Sequence, residues 1–77
     1  MNRYPRYQIV TFRGNDRASN YDDALSKAKD MMQAIKREGW CCEYWWARII
    51  DLNKGFSKLV WLRGCYLYNQ TQWLSLC

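Results

Sequence analysis

Aromatic planes interleaved with cations can stack nucleobases and neutralise phosphates, and one short stretch of this chain alternates them at strand spacing. In WCCEYWWARII, residues 40–50, a period of two sends Tyr44, Trp46, Arg48 and Ile50 to one side and Trp45, Ala47 and Ile49 to the other. The following FSKLVWLRG adds Lys58 and Arg63. The chemistry encoded is recognition. Trp and Tyr with Arg also form the hot spots of protein interfaces, so these residue types fit a protein partner as well as a nucleic acid or nucleotide.

Catalytic chemistry is poorly supplied. The sequence has no histidine, no nucleophile motif and no glycine-rich phosphate loop. Asp22 and Asp23 are adjacent, so on a helix their carboxylates do not converge; a place in the first turn, facing the dipole, accounts for them. The four cysteines, Cys41, Cys42, Cys65 and Cys77, lack C-x-x-C spacing, which with no histidine argues against a zinc site. Cys41 and Cys42 would face opposite sides of a strand, and no secretory leader is apparent, so buried free thiols are favoured over a disulfide framework. Cys41 or Cys65 as a reactive thiol has no evident activating base. A non-enzymatic protein without a cofactor or metal is expected.

Seventy-seven residues make one small domain, near the size at which a single core gives little net stability. The net charge of +5 is unevenly placed. Residues 1–18 set Arg3, Arg6, Arg13 and Arg17 against Asp16 alone, and residues 19–38 are balanced; the remainder sets Arg48, Lys54, Lys58 and Arg63 against Glu43 and Asp51. The surplus lies outside the central helical segment, which favours an acidic partner. No apolar run reaches the length of a signal-peptide core or a membrane span, so a soluble, cytoplasmic protein with no membrane partner is expected.

The elements that must position these residues read as follows. YQIVTFR, residues 7–13, is a strand rich in β-branched and aromatic residues, bounded by Pro5 and by the turn cluster Gly14-Asn15-Asp16. Residues 20–38 form a helix, with Ser19 and Asp22 as a variant capping box or Asn20 as the N-cap. Its apolar stripe is Ala24, Leu25, Ala28, Met31, Met32 and Ile35, and Gly39 closes it with Trp40 set against Ile35. Residues 41–63 form a hairpin around Asn53-Lys54-Gly55, with Leu52 opposite Phe56 and Gly55 in a G1 bulge. In that register Leu59 and Trp61 face the helix. Lys58, Val60 and Leu62 join Tyr44, Trp46, Arg48, Ile50 and Phe56 on the other side. The expected fold is α+β: a three-stranded antiparallel β-α-β-β sheet, its first strand beside the second hairpin arm, with the helix on one face. Residues 64–77 form an aromatic extension, either two short strands about Asn69-Gln70-Thr71 or a brief helix capped by Thr71.

The run WARIIDLNKGFSKLVW, residues 46–61, behind a helix ending in Glu38-Gly39-Trp40, resembles the closing hairpin of small uncharacterised β-α-β-β proteins of phage and bacterial genomes. That group carries no shared activity; the resemblance implies an accessory or host-takeover protein. One helix covers one face of a sheet, and the second face would leave an apolar patch on the order of 400–600 Å². The C-terminal segment, a second copy, or a partner must cover it. A host protein is the first expectation, a nucleic acid or nucleotide the second, and a self-assembling homo-oligomer the third. The residues expected to bind are Arg48, Lys58, Arg63, Trp46 and Tyr44, with Arg13 and Arg17 at the periphery.

Overall fold

The computed structural model describes residues 5–39, 45–63, 66–70 and 72–75. Along the chain they form β1 (Tyr7–Thr11), β2 (Gly14–Ala18), α1 (Tyr21–Arg37), β3 (Trp45–Asp51), β4 (Phe56–Arg63), β5 (Tyr66–Asn69) and β6 (Leu74–Ser75). The α+β class holds, but the sheet is larger than the three strands expected. Its antiparallel order is β2-β1-β3-β4-β5, and β6 lies on the same edge of β4 as β5, pairing Phe56 with Ser75 and Ser57 with Leu74.

The first correction comes from residues 12–16. Gly14-Asn15-Asp16 is a strand, and the reversal occurs two residues earlier at Phe12-Arg13, with Thr11 paired to Gly14. No non-glycine residue among those described has positive φ, so this turn is not the primed type that two-residue hairpins favour. The Thr11 hydroxyl holds it instead, accepting from the Arg13 amide at 3.2 Å and donating to the Gly14 carbonyl at 3.1 Å. The extra reversal fixes the topology: the chain enters α1 travelling opposite to β1 and returns in β3 antiparallel to it. β1 therefore lies beside β3, the first arm of the closing hairpin, with Ile9 opposite Ile49.

Helix α1 uses Asn20 as its N-cap, the side chain accepting from the Asp23 amide at 2.8 Å. Asp22 and Asp23 occupy the first turn and Lys36 and Arg37 the last, matching the dipole at both ends. At the C-terminus the Gly39 amide bonds to the Lys36 carbonyl at 3.1 Å with φ +90°, the left-handed geometry that glycine adopts without penalty. The expected contact of Trp40 with Ile35 lies outside the described residues.

The second correction is the hairpin register. Asp51, not Leu52, is the last paired residue of β3 and stands opposite Phe56, leaving Leu52–Gly55 as a four-residue turn. The Asp51 carboxylate accepts from the Asn53 amide at 3.1 Å and the Lys54 amide at 3.3 Å, and its carbonyl accepts from the Gly55 amide at 2.8 Å. Gly55 has the left-handed φ of +71° expected of it, but it closes a turn one residue longer. Because side chains alternate, one residue of register moves every β4 side chain to the opposite face. Lys58, Val60 and Leu62 face the helix with Trp45, Ala47 and Ile49; Ser57, Leu59, Trp61 and Arg63 face away with Trp46, Arg48 and Ile50.

The core lies between α1 and this inner face. Ile9, Ala24, Ala28, Met32, Ala47, Ile49, Val60 and Leu62 are buried, with Ala47 and Ala28 allowing the helix close to the sheet. At the end of the core near the start of α1, the Arg6 guanidinium holds the Asp51 carboxylate through two hydrogen bonds, at 2.9 and 3.2 Å. Burial works against the Asp51 charge, but the Arg6 bonds, the two turn amides and the charge of Arg6 together outweigh it, and its pKa lies below the usual carboxylate value. The same hydrogen bonding raises the pKa of Arg6. No helix among the described residues is long and apolar enough to cross a membrane.

Candidate functional site

The outer face of the sheet, away from α1, is built by register. Across β3, β4 and β5 one lateral row carries Trp46, Trp61 and Tyr68, since Trp46 pairs with Trp61 and Trp61 with Tyr68. The Trp61 and Tyr68 rings lie nearly parallel, 13° apart with centroids at 5.8 Å. Arg48 stands two residues from Trp46 along β3; Arg63 stands two residues from Trp61 along β4, on the opposite side of the row. Val10, Ile50, Leu59, Tyr66 and Leu74 complete the apolar surface. Tyr66, Tyr68 and Leu74 are exposed, and Trp46 and Trp61 are half-buried.

No other layer covers this face among the described residues. The C-terminal segment, expected either to fold back over it or to reach another molecule, widens the sheet instead. β5 and β6 extend the edge of β4, and Gln70 bridges the gap between them, its amide bonding to the Leu59 carbonyl at 3.0 Å and its side chain accepting from the Leu59 amide at 2.9 Å.

The charges are sorted between the faces. Arg48 and Arg63 are exposed on the outer face, and Arg17, paired with Gln8, lies on that face at the β2 edge. The carboxylates among the described residues lie elsewhere: Asp22, Asp23, Asp30 and Glu38 on or beside α1, Asp51 in the core, and Asp16 on the inner side opposite Ile9. Arg48 Nη1 donates to the Ser57 hydroxyl at 3.3 Å, which holds its guanidinium against β4.

The structure thus brings together three of the expected binding residues, Trp46, Arg48 and Arg63, and sets Arg17 at their margin. Arg13 is in the β1–β2 turn, ion-paired with Glu38 across the end of α1. Lys58 is not on this face. It is buried beneath the start of α1, its ammonium donating to the Tyr21 hydroxyl at 3.0 Å and lying 5.4 Å from the Trp73 ring centroid. Tyr44 and the four cysteines lie outside the described residues.

Sequence reasoning missed Trp61 and Tyr68. The signal for Trp61 was present: Asp51 begins Asp-Leu-Asn-Lys-Gly, and an aspartate that accepts from the amides two and three residues on ends a strand at itself. Placing the turn there turns Trp61 outward. For Tyr68 there was no comparable signal, because a four-residue edge strand takes its register from β4.

Two cavities, of about 270 and 260 Å³, open elsewhere on the protein. The first lies between the β1–β2 turn and the C-terminal half of α1, over Met31, Ala34 and Ile35. The second is framed by Arg6, Asp51, Phe56 and Trp73. Neither cavity is lined by Trp46, Trp61, Tyr68, Arg48 or Arg63. Comparison with known protein families, with curated proteins and with solved structures finds no match.

Proposed function

We propose that this is a non-catalytic binding protein that engages a macromolecular partner on the outer face of its sheet. One observation carries the reading: a face with no layer over it among the described residues gathers Trp46, Trp61, Tyr68, Arg48 and Arg63 and holds no carboxylate among them. An antiparallel sheet is free to keep its solvent face polar, so large aromatics there call for a contact. Self-association through this face is disfavoured, because a two-fold axis would bring its arginines toward those of the second copy. The setting implied by the resemblance of the closing hairpin is an accessory protein of a phage or mobile element, and its partner is then a component of the host cell.

The test is comparative capture. The full chain is immobilised alongside an Arg48→Glu/Arg63→Glu variant and a Lys29→Glu control on the exposed surface of α1, with far-UV circular dichroism checking that all three fold. Material retained from host lysate by the wild type and the helix control, and lost by the outer-face variant, supports the reading. Equal retention by all three refutes it.

A further inference from the structure

We infer that the partner on this face is single-stranded nucleic acid, held as two or three stacked bases with its phosphates on the flanking arginines. The inference rests on the reading of the outer face as the binding surface and names what that surface takes. Strand spacing and register give its geometry. Trp46, Trp61 and Tyr68 sit in one lateral row on three neighbouring strands, about 5 Å apart from one to the next. Arg48 and Arg63 flank the row on opposite sides, with their backbone positions roughly 14 Å apart from strand rise and spacing. Arg17 extends the same diagonal to the β2 edge. A row of rings with a cation on each side matches a strand whose bases stack on the aromatics while its backbone crosses the row from one arginine to the other.

Three features favour this occupant over a protein. Protein interfaces pair both signs of charge, whereas the described part of this face offers only cations. The net charge of the chain, +5, has the sign that attracts a polyanion. The Trp61 and Tyr68 rings stack on each other, and an unpaired base has a π-face that can join such a stack, whereas the bases of a duplex are already stacked and paired.

The test uses the whole chain and two probes, a decamer of thymidylate and a decamer of uridylate, titrated at 50 to 300 mM salt. Tryptophan quenching and fluorescence anisotropy of labelled probes are the readouts. Binding should weaken with a log–log salt slope of roughly −1.4 to −2.1, the value for two to three phosphates on a single strand. Trp61→Ala should weaken binding about 5- to 150-fold, the range for loss of one stacking aromatic. Arg63→Glu, at an exposed position, should weaken binding and flatten the slope by at least ~0.7, while Lys29→Glu leaves both near wild type. Preference for one decamer identifies RNA or DNA as the natural target; equal binding assigns a site blind to the sugar. Tyr68→Ala replaces Trp61→Ala if the latter fails to fold. No binding of either probe at 50 mM salt overturns the inference; if the outer-face variant still loses a protein in the capture experiment, the binding-face reading survives with a protein occupant. Probe binding that persists in the Trp61, Tyr68 and Arg63 variants overturns the inference, and the capture experiment alone then decides the binding-face reading.

Discussion

The register of β4 decides which side chains the outer face of the sheet presents, and a pair of alanine substitutions tests it. Val60 is fully buried against the helix, whereas Leu59 is half-buried on the outer face. Leu→Ala removes more hydrocarbon than Val→Ala, so at equal burial Leu59→Ala would be the costlier change. The structure inverts that order. Truncating Val60 removes two methyl groups worth ~0.8 kcal/mol each on transfer and leaves a cavity under α1, for a loss of about 2–3 kcal/mol. Truncating Leu59 removes groups already partly hydrated and leaves no enclosed cavity, for a loss of ~1 kcal/mol. A domain of this length has roughly 4–12 kcal/mol of stability in all, so the Val60 variant should lose a large part of it. At about 4–8 °C per kcal/mol, its Tm should fall by about 8–24 °C, against about 4–8 °C for Leu59→Ala. Urea denaturation of both variants at a common m-value measures the difference directly. A Leu59→Ala variant less stable than Val60→Ala would restore the three-residue turn, return Lys58 to the outer face and remove Trp61 from it.

Three further outcomes follow from particular contacts. Lys58→Met should stay within about 1 kcal/mol of wild type in urea denaturation, because a hydrophobe of similar length fills the space beside Tyr21 and Trp73; Lys58→Glu, which sets a carboxylate against ring faces of the same sign, should cost several times more. Asn20→Ala removes the N-cap acceptor of the Asp23 amide and should cost ~1 kcal/mol, read as a fall in Tm with the elements retained. The stabilisation from the depressed Asp51 pKa is complete above the unfolded value of ~3.9 and is lost as pH falls through the lower folded value, so thermal melts of wild type and Asp51→Asn should differ most near neutrality and converge in acid; a gap that stays constant to pH 2 would exclude the linkage.

How much of this was legible beforehand depended on whether a signal was local. The helix could be read because its cap, dipole charges, apolar stripe and stop are all short-range features of one segment. The alternation in β3 could be read because Ala47 and Ile49 differ plainly from Trp46 and Arg48. The β1–β2 hairpin was hidden because Gly14-Asn15-Asp16 has turn composition. Those residues are a strand only because Thr11 ties the reversal two residues earlier and β1 supplies the ladder. The face of β4 was hidden because both of its faces are largely apolar, so the hydrophobic pattern cannot choose the register; the decision falls to one side chain, Asp51, and the amides it accepts from. β5 and β6 take their places from β4, a dependence that no local pattern carries.

The two faces answer to different demands. On the inner face Ile9, Ile49, Val60 and Leu62 close on Met32 and Ile35, and even Lys58 has its ammonium on the Tyr21 hydroxyl and over two rings. The outer face contributes little to that core, and a Thr- or Lys-rich version would fold with less risk of aggregation. The chain also manages one exposed edge with side chains: on β2, the Arg17 amide is taken by the Asp16 carboxylate and its carbonyl by Lys27. A sequence that blunts an edge in this way, yet retains Trp46, Trp61 and Tyr68 on an uncovered surface among arginines, is not exposing apolar area for want of polar residues. Arg48 fits the same reading. Its contact with Ser57 holds the guanidinium on the sheet, which lowers the ordering cost that the proposed binding would otherwise meet.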